Sequence, residues 1–77
     1  MIPFSSSLAQ DAILLNYRER QFIQLACSEL TYVQIADRMC VSPRTVDGYR
    51  ENLFIRLNLK SRVGLVLWAV KTGIVTL

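Results

Sequence analysis

Apolar residues recur at three- and four-residue intervals along most of this chain, the spacing that lays side chains on one face of an α-helix. The first such stretch runs through Phe22, Ile23, Leu25, Ala26 and Leu30, and the second through Val33, Ile35, Ala36 and Met39. A third holds Val46, Tyr49, Leu53 and Leu57 on one face, and a fourth holds Leu65, Val66, Ala69 and Val70. The pattern predicts an all-α domain of four helices. Residues 1–13 have no clean period, and Pro3 followed by Ser5, Ser6 and Ser7 reads as linker or tail, with a loose turn over 9–15 laying Ile13, Leu14 and Leu15 on the domain. The domain is expected over residues 14–77.

The helix starts are written in capping residues. Asn16 with Glu19, and Thr31 with Gln34, have the spacing of capping boxes, in which each side chain satisfies a backbone N–H at the other position. Leu30 can staple to Ile35, and Val41 to Val46. Ser42 caps a helix whose first position is Pro43, where the missing N–H costs nothing. That helix should end near Asn58, an acceptable left-handed cap, and Ser61 should open the last helix, which runs to about Thr72 before Gly73 stops it. Only Met39-Cys40-Val41 separates the second helix from the third. A connection so brief suggests the steeply crossed pair of a helix-turn-helix.

The third helix has a second face, formed by Arg44, Asp47, Gly48, Glu51 and Ile55, opposite its apolar one. It is poorly tuned for stability. Glycine in a helix interior costs about 1 kcal/mol relative to alanine, and Asp47 and Glu51 are like charges four residues apart unless Arg44 or Arg50 relieves them. Close approach of the backbone to a partner would explain Gly48; so would drift at a tolerant position. The fourth helix also carries a second stripe, Gly64, Leu67, Trp68 and Lys71, too apolar for a solvated face. One reading makes it a self-association surface with Gly64 allowing two helices to approach; the other folds Trp68 back over its own core.

Composition narrows the function classes. Seventy-seven residues allow one small domain that gains from an oligomer or a larger parent chain, and no apolar run reaches the roughly 20 residues of a membrane span. The start lacks the basic segment and apolar core of a secretory signal, so the cytoplasm is the expected location. With no histidine, no Gly-rich phosphate loop and no paired-carboxylate site, the sequence argues against an enzyme and calls for no cofactor or metal. Cys27 and Cys40 read as small buried apolar residues.

The net charge of +3 is unevenly placed. Residues 1–41 hold three basic and four acidic side chains, whereas residues 42–77 hold six basic and two acidic ones. A basic half is the footprint of a phosphate-binding surface, or simply a solvated face.

Together, the motifs Asn16-Tyr17-Arg18-Glu19-Arg20, Ile35-Ala36, Val41-Ser42-Pro43-Arg44-Thr45-Val46, Arg56-Leu57-Asn58-Leu59-Lys60-Ser61-Arg62 and Leu65-Val66 through Gly73-Ile74-Val75 resemble the LuxR-type (FixJ/NarL) helix-turn-helix domain. The resemblance spans residues 14–75. It implies the DNA-binding output domain of a bacterial response regulator, fused to a receiver or sensor domain, with residues 43–57 in the major groove and the fourth helix pairing two monomers. Carried over by position, Arg44 and Thr45 stand at groove entry, Arg56, Lys60 and Arg62 bind phosphates, and Thr31 and Gln34 touch the backbone. With these, Asp47, Gly48, Arg50 and Glu51 complete the expected DNA-binding set, and Gly64, Leu67, Trp68 and Lys71 the expected dimer interface. This sequence departs from the family pattern at Asp47, where a basic residue is common, at Tyr49, often histidine, and at Cys40, a turn position that is glycine in many such proteins. Carboxylates repel phosphates, so a second class stays open: a helix-turn-helix kept for protein interaction, with weak or no DNA binding.

Overall fold

The computed structural model describes residues 15–76, and these form four helices: α1 (Tyr17–Ala26), α2 (Tyr32–Met39), α3 (Pro43–Arg56) and α4 (Arg62–Lys71). No strand occurs among the described residues. The expected turn over 9–15 lies outside them except for Leu15, which is buried.

All four helix starts use the caps read from the sequence. The Glu19 N–H donates to Asn16 Oδ1 at 2.8 Å and the Asn16 N–H returns a bond to Glu19 Oε1 at 3.1 Å. Thr31 and Gln34 exchange the same pair at 3.1 and 2.9 Å. Ser42 Oγ accepts from the Thr45 N–H, and Ser61 Oγ from the Gly64 N–H, each at 3.1 Å.

Three helices end on a left-handed residue: Cys40 at φ 58°, Asn58 at φ 55° and Gly73 at φ 81°. After each, the next N–H reaches back to a carbonyl five residues earlier, Val41 to Ala36, Leu59 to Phe54 and Ile74 to Ala69, at 3.0, 2.8 and 3.0 Å. This six-to-one bond reverses the chain in the fewest residues, and at Cys40 it makes the abrupt turn between α2 and α3. A side chain with a β-carbon costs about 1 kcal/mol or more in this conformation, which is why the turn position favours glycine. Arg18 helps hold it, donating from Nη1 to the Met39 carbonyl at 3.1 Å.

The core comprises Leu15, Phe22, Ile23, Ala26, Ile35, Ala36, Met39, Val46, Leu53, Leu65, Trp68 and Ala69. α1 touches all three other helices, and α4 docks on α1. Burial departs from the sequence pattern in α2, in α4 and at both cysteines. Val33 was expected inside but is 64% exposed. Tyr32 takes its place, half-buried with its ring 6.2 Å from that of Phe22, because an eight-residue helix has room for one inward stripe. In α4, Trp68 rather than Val70 completes the core: Trp68 is 7% exposed and Val70 36%. Burying an indole removes more apolar surface from water than burying an isopropyl group. Cys40 is exposed and Cys27 half-buried, and both are free thiols rather than the two buried residues expected. Burial pushes the Cys27 thiol up from its ordinary pKa, with Arg62 pulling against it.

Candidate nucleic-acid interface

α2 and α3 are joined by the Cys40 turn and pack against each other. α3 is anchored by Val46 and Leu53, both fully buried, and by half-buried Tyr49 and Leu57, with the Tyr49 ring 6.1 Å from Phe22. Its other side is open. Arg44, Asp47, Gly48, Glu51 and Ile55 are all exposed, as the sequence pattern requires, with Ile55 82% exposed. Arg44, Asp47, Gly48 and Glu51 line a shallow depression of about 360 Å³ on this face. A β-carbon added at Gly48 would meet nothing within 4 Å, so the depression owes its floor to a missing side chain that no neighbour forbids. Gly48→Ala is therefore expected to stabilise the domain by about 1 kcal/mol, read as a rise in melting temperature. If the backbone here approaches a partner, the same variant binds that partner more weakly.

Thr31, Gln34, Thr45 and Lys60 are also exposed. The first two spend side-chain oxygens on their capping box, while Thr45 Oγ1 lies 3.0 Å from Ser42 Oγ at the head of α3.

Three of the arginines assigned to this surface have internal work. Arg62 donates from Nε to the Ala26 carbonyl at 3.0 Å, and from Nη2 to the carbonyls of Ser28 and Leu30 at 2.9 and 2.6 Å. Its guanidinium also covers the Tyr32 ring, 5.0 Å from the centroid. It is a clamp on the end of α1 and the loop to α2, a structural task beside the phosphate role that the resemblance implies. Arg56 pairs with Glu19, Nη1 to Oε2 at 2.6 Å and Nη2 to Oε1 at 3.4 Å, and Nη1 also reaches Asn52 Oδ1 at 3.1 Å. Glu19 is the one charged side chain buried among the described residues, so Arg56 is committed to balancing it. Arg50 lies at the edge of the outward face, its guanidinium 5.2 Å from the Tyr32 centroid and within 3.6 Å of Asp47 and 3.8 Å of Glu51.

Among the described residues, the exposed cations without such commitments are Arg38, Arg44, Lys60 and Lys71. Arg38, in the last turn of α2, was missed by the sequence reading because it falls in the acidic half of the chain.

Burial divides the stripe on α4 that the sequence offered as a dimer surface. Gly64 is half-buried, Leu67 and Lys71 are exposed, and Trp68 has turned inward. The exposed apolar residues are Val63, Leu67 and Val70, at 68%, 56% and 36%, a stripe at i, i+4 and i+7. No helix among the described residues is long and apolar enough to cross a membrane.

Comparison with known proteins places this arrangement. Residues 14–69 match the family described as bacterial regulatory proteins, luxR family. The chain is 39% identical over 62 residues to the response regulator GacA of Pseudomonas viridiflava, covering 80% of this chain and 29% of that protein. It is 38% identical over 61 residues to GacA of Pseudomonas aeruginosa, covering 79% and 28%. With the oxygen regulatory protein NreC of Staphylococcus epidermidis, identity is 32% over 66 residues, 86% of this chain and 30% of that one. The chain thus spans less than a third of the length of these relatives. No solved structure matches it. With four helices, the capped turn and a family match across most of its length, this chain belongs to the LuxR family of bacterial regulatory proteins.

Proposed function

We propose that this domain binds double-stranded DNA with α3 in the major groove, as the output module of a transcriptional regulator. The observation that carries the reading is the open side of α3: a helix locked to its scaffold along one side and lined on the other by Arg44, Asp47, Gly48, Glu51 and Ile55. A helix so presented has the dimensions the major groove admits. Relatives described as response regulators support a receiver or sensor domain elsewhere in the parent protein. In that setting residues 1–13 serve as linker and 14–77 as the output domain. The cytoplasm is the compartment such a role requires.

Phosphate contacts are expected to be few. With Arg56 and Arg62 engaged internally, Arg44, Lys60 and Arg38 supply the main charge, aided by hydroxyls at Thr31 and Thr45. Each phosphate neutralised steepens the dependence of log affinity on log salt by about 0.9. An anisotropy titration on duplex DNA should therefore give a slope of about −2 to −3 per protomer. No binding at about 50 mM salt would favour the other class, an interaction module whose Asp47 and Glu51 meet a basic protein.

A pair of these domains would meet through α4, along Val63, Leu67 and Val70, with Gly64 and Lys71 at its margin. Leu67→Glu puts a charge in the middle of that stripe. The variant is expected to fold with unchanged helicity, to sediment as a monomer at concentrations where the parent is a dimer, and to bind DNA about tenfold more weakly. Equal oligomeric mass for both proteins would remove α4 as the interface.

A further inference from the structure

We infer that Asp47 and Glu51 are the specificity-determining residues of this domain, reading the amino groups of cytosines in the major groove, and that Arg50, seated on Tyr32, is the positioning residue that presents them. The inference rests on the proposed entry of α3 into DNA and deepens it.

Two carboxylates one helical turn apart repel each other and any phosphate nearby. Left alone they would oppose the function proposed for their helix. The structure places a cation against both: Arg50 Nη2 lies 3.6 Å from Asp47 Oδ1 and 3.8 Å from Glu51 Oε2. These distances are long for hydrogen bonds. They screen the charges while leaving the lone pairs of both carboxylates open, and no hydrogen bond among the described residues occupies either group. Both carboxylates are well exposed, 53% and 71%, whereas the Arg50 side chain is 32% exposed.

Arg50 is fixed from below. Its guanidinium stacks on the Tyr32 ring, and that ring is held in turn by Phe22 and by the clamp residue Arg62. Arg50 Nε is buried without a hydrogen-bond partner, so ring and carboxylates are what hold the group. α2 thereby sets the aim of acceptors on α3. Gly48 beside them removes the side chain that would keep a base edge at a distance.

Two unfilled acceptors select for donors. The major groove offers the cytosine N4 and adenine N6 amino groups, but adenine sets its N7 acceptor beside N6, where it opposes a carboxylate. Cytosine presents the amino group without that neighbour. Arg44, one turn earlier on the same face, matches the O6 and N7 acceptors of guanine. The face as a whole thus fits a short G·C-containing step.

The test is selection from a randomised duplex library, followed by affinity measurements on pairs of duplexes that differ by one cytosine-to-adenine change. The full chain is expected to select cytosine at one or two fixed positions and to discriminate against adenine there by about tenfold. Asp47→Asn should move the preference at one position toward adenine, since an amide matches N6 and N7 together, and Glu51→Gln should do so at the other. Arg50→Gln should lower the cytosine-to-adenine affinity ratio several-fold. Partial unfolding lowers both affinities alike, so the ratio separates positioning from stability. An unchanged consensus for the Asp47 and Glu51 variants would overturn the inference while leaving DNA binding intact. Failure of every duplex to bind would overturn the groove reading beneath it.

Discussion

Replacing Arg62 with alanine is expected to cost the domain about 3 kcal/mol, which for a domain of this size lowers the melting temperature by roughly 15 °C. The guanidinium serves three backbone carbonyls, of Ala26, Ser28 and Leu30, at 2.6 to 3.0 Å. Those groups sit where α1 ends and the chain turns toward α2, and α1 has no basic residue in its last turn to satisfy them locally. A charge-assisted hydrogen bond contributes about 1.5–3 kcal/mol, and three to one group add less than their sum. The stacked face over Tyr32 is lost as well. Arg62→Lys should recover only part of the stability, because an ammonium on a flexible stem cannot make the fork that reaches three acceptors. Lys60→Ala is the contrasting variant: it should leave the melting temperature within a degree or two and weaken DNA binding about equally across sequences. If Arg62→Ala melted like the parent and instead shallowed the salt slope by about one unit, Arg62 would be a phosphate ligand after all.

This contrast shows which features a sequence can reveal. Every helix start was legible because a cap and its partner are three residues apart: Asn16 with Glu19, Thr31 with Gln34, Ser42 with Thr45, Ser61 with Gly64. The left-handed turn at Asn58 was legible for the same local reason. The outward face of α3 followed from helical periodicity alone. The roles of the arginines did not, since Arg62 and Arg56 find partners 32 to 37 residues away, and a positive charge in sequence looks the same whether it faces solvent or a carbonyl. Val33 was misplaced, and Trp68 left between two readings, for a related reason. Periodicity identifies a stripe, but which of two adjacent stripes turns inward depends on the helix it meets. Tyr32, half-buried beside a cap, became meaningful only once Arg50 and Arg62 were seen to close over its ring.

Arg56→Met is expected to cost about 2–3 kcal/mol, more than an exposed ion pair is worth, because it strands Glu19. That carboxylate is 8% exposed and takes the Asn16 N–H through Oε1 and the Arg56 guanidinium through both oxygens. Removing one partner of a buried pair leaves an uncompensated charge at a cost of about 3–5 kcal/mol, reduced here because the Arg56 side chain is 39% exposed. Glu19→Gln should be milder, since its amide oxygen still accepts the Asn16 N–H and closes the capping box. With Glu19→Gln in place, Arg56→Met should cost about 1 kcal/mol or less, so the two substitutions together are less harmful than their separate effects imply. A coupling of about 1–2 kcal/mol in denaturant unfolding is the expected size for residues that share a network. The pair joins the N-terminus of α1 to the last turn of α3, so it sets how α3 lies across the scaffold as well as whether the domain is stable. Arg56→Met should accordingly weaken binding to all duplexes without shallowing the salt slope, whereas additive effects on stability together with a slope reduced by about 0.9 would assign Arg56 to the DNA backbone instead of to Glu19.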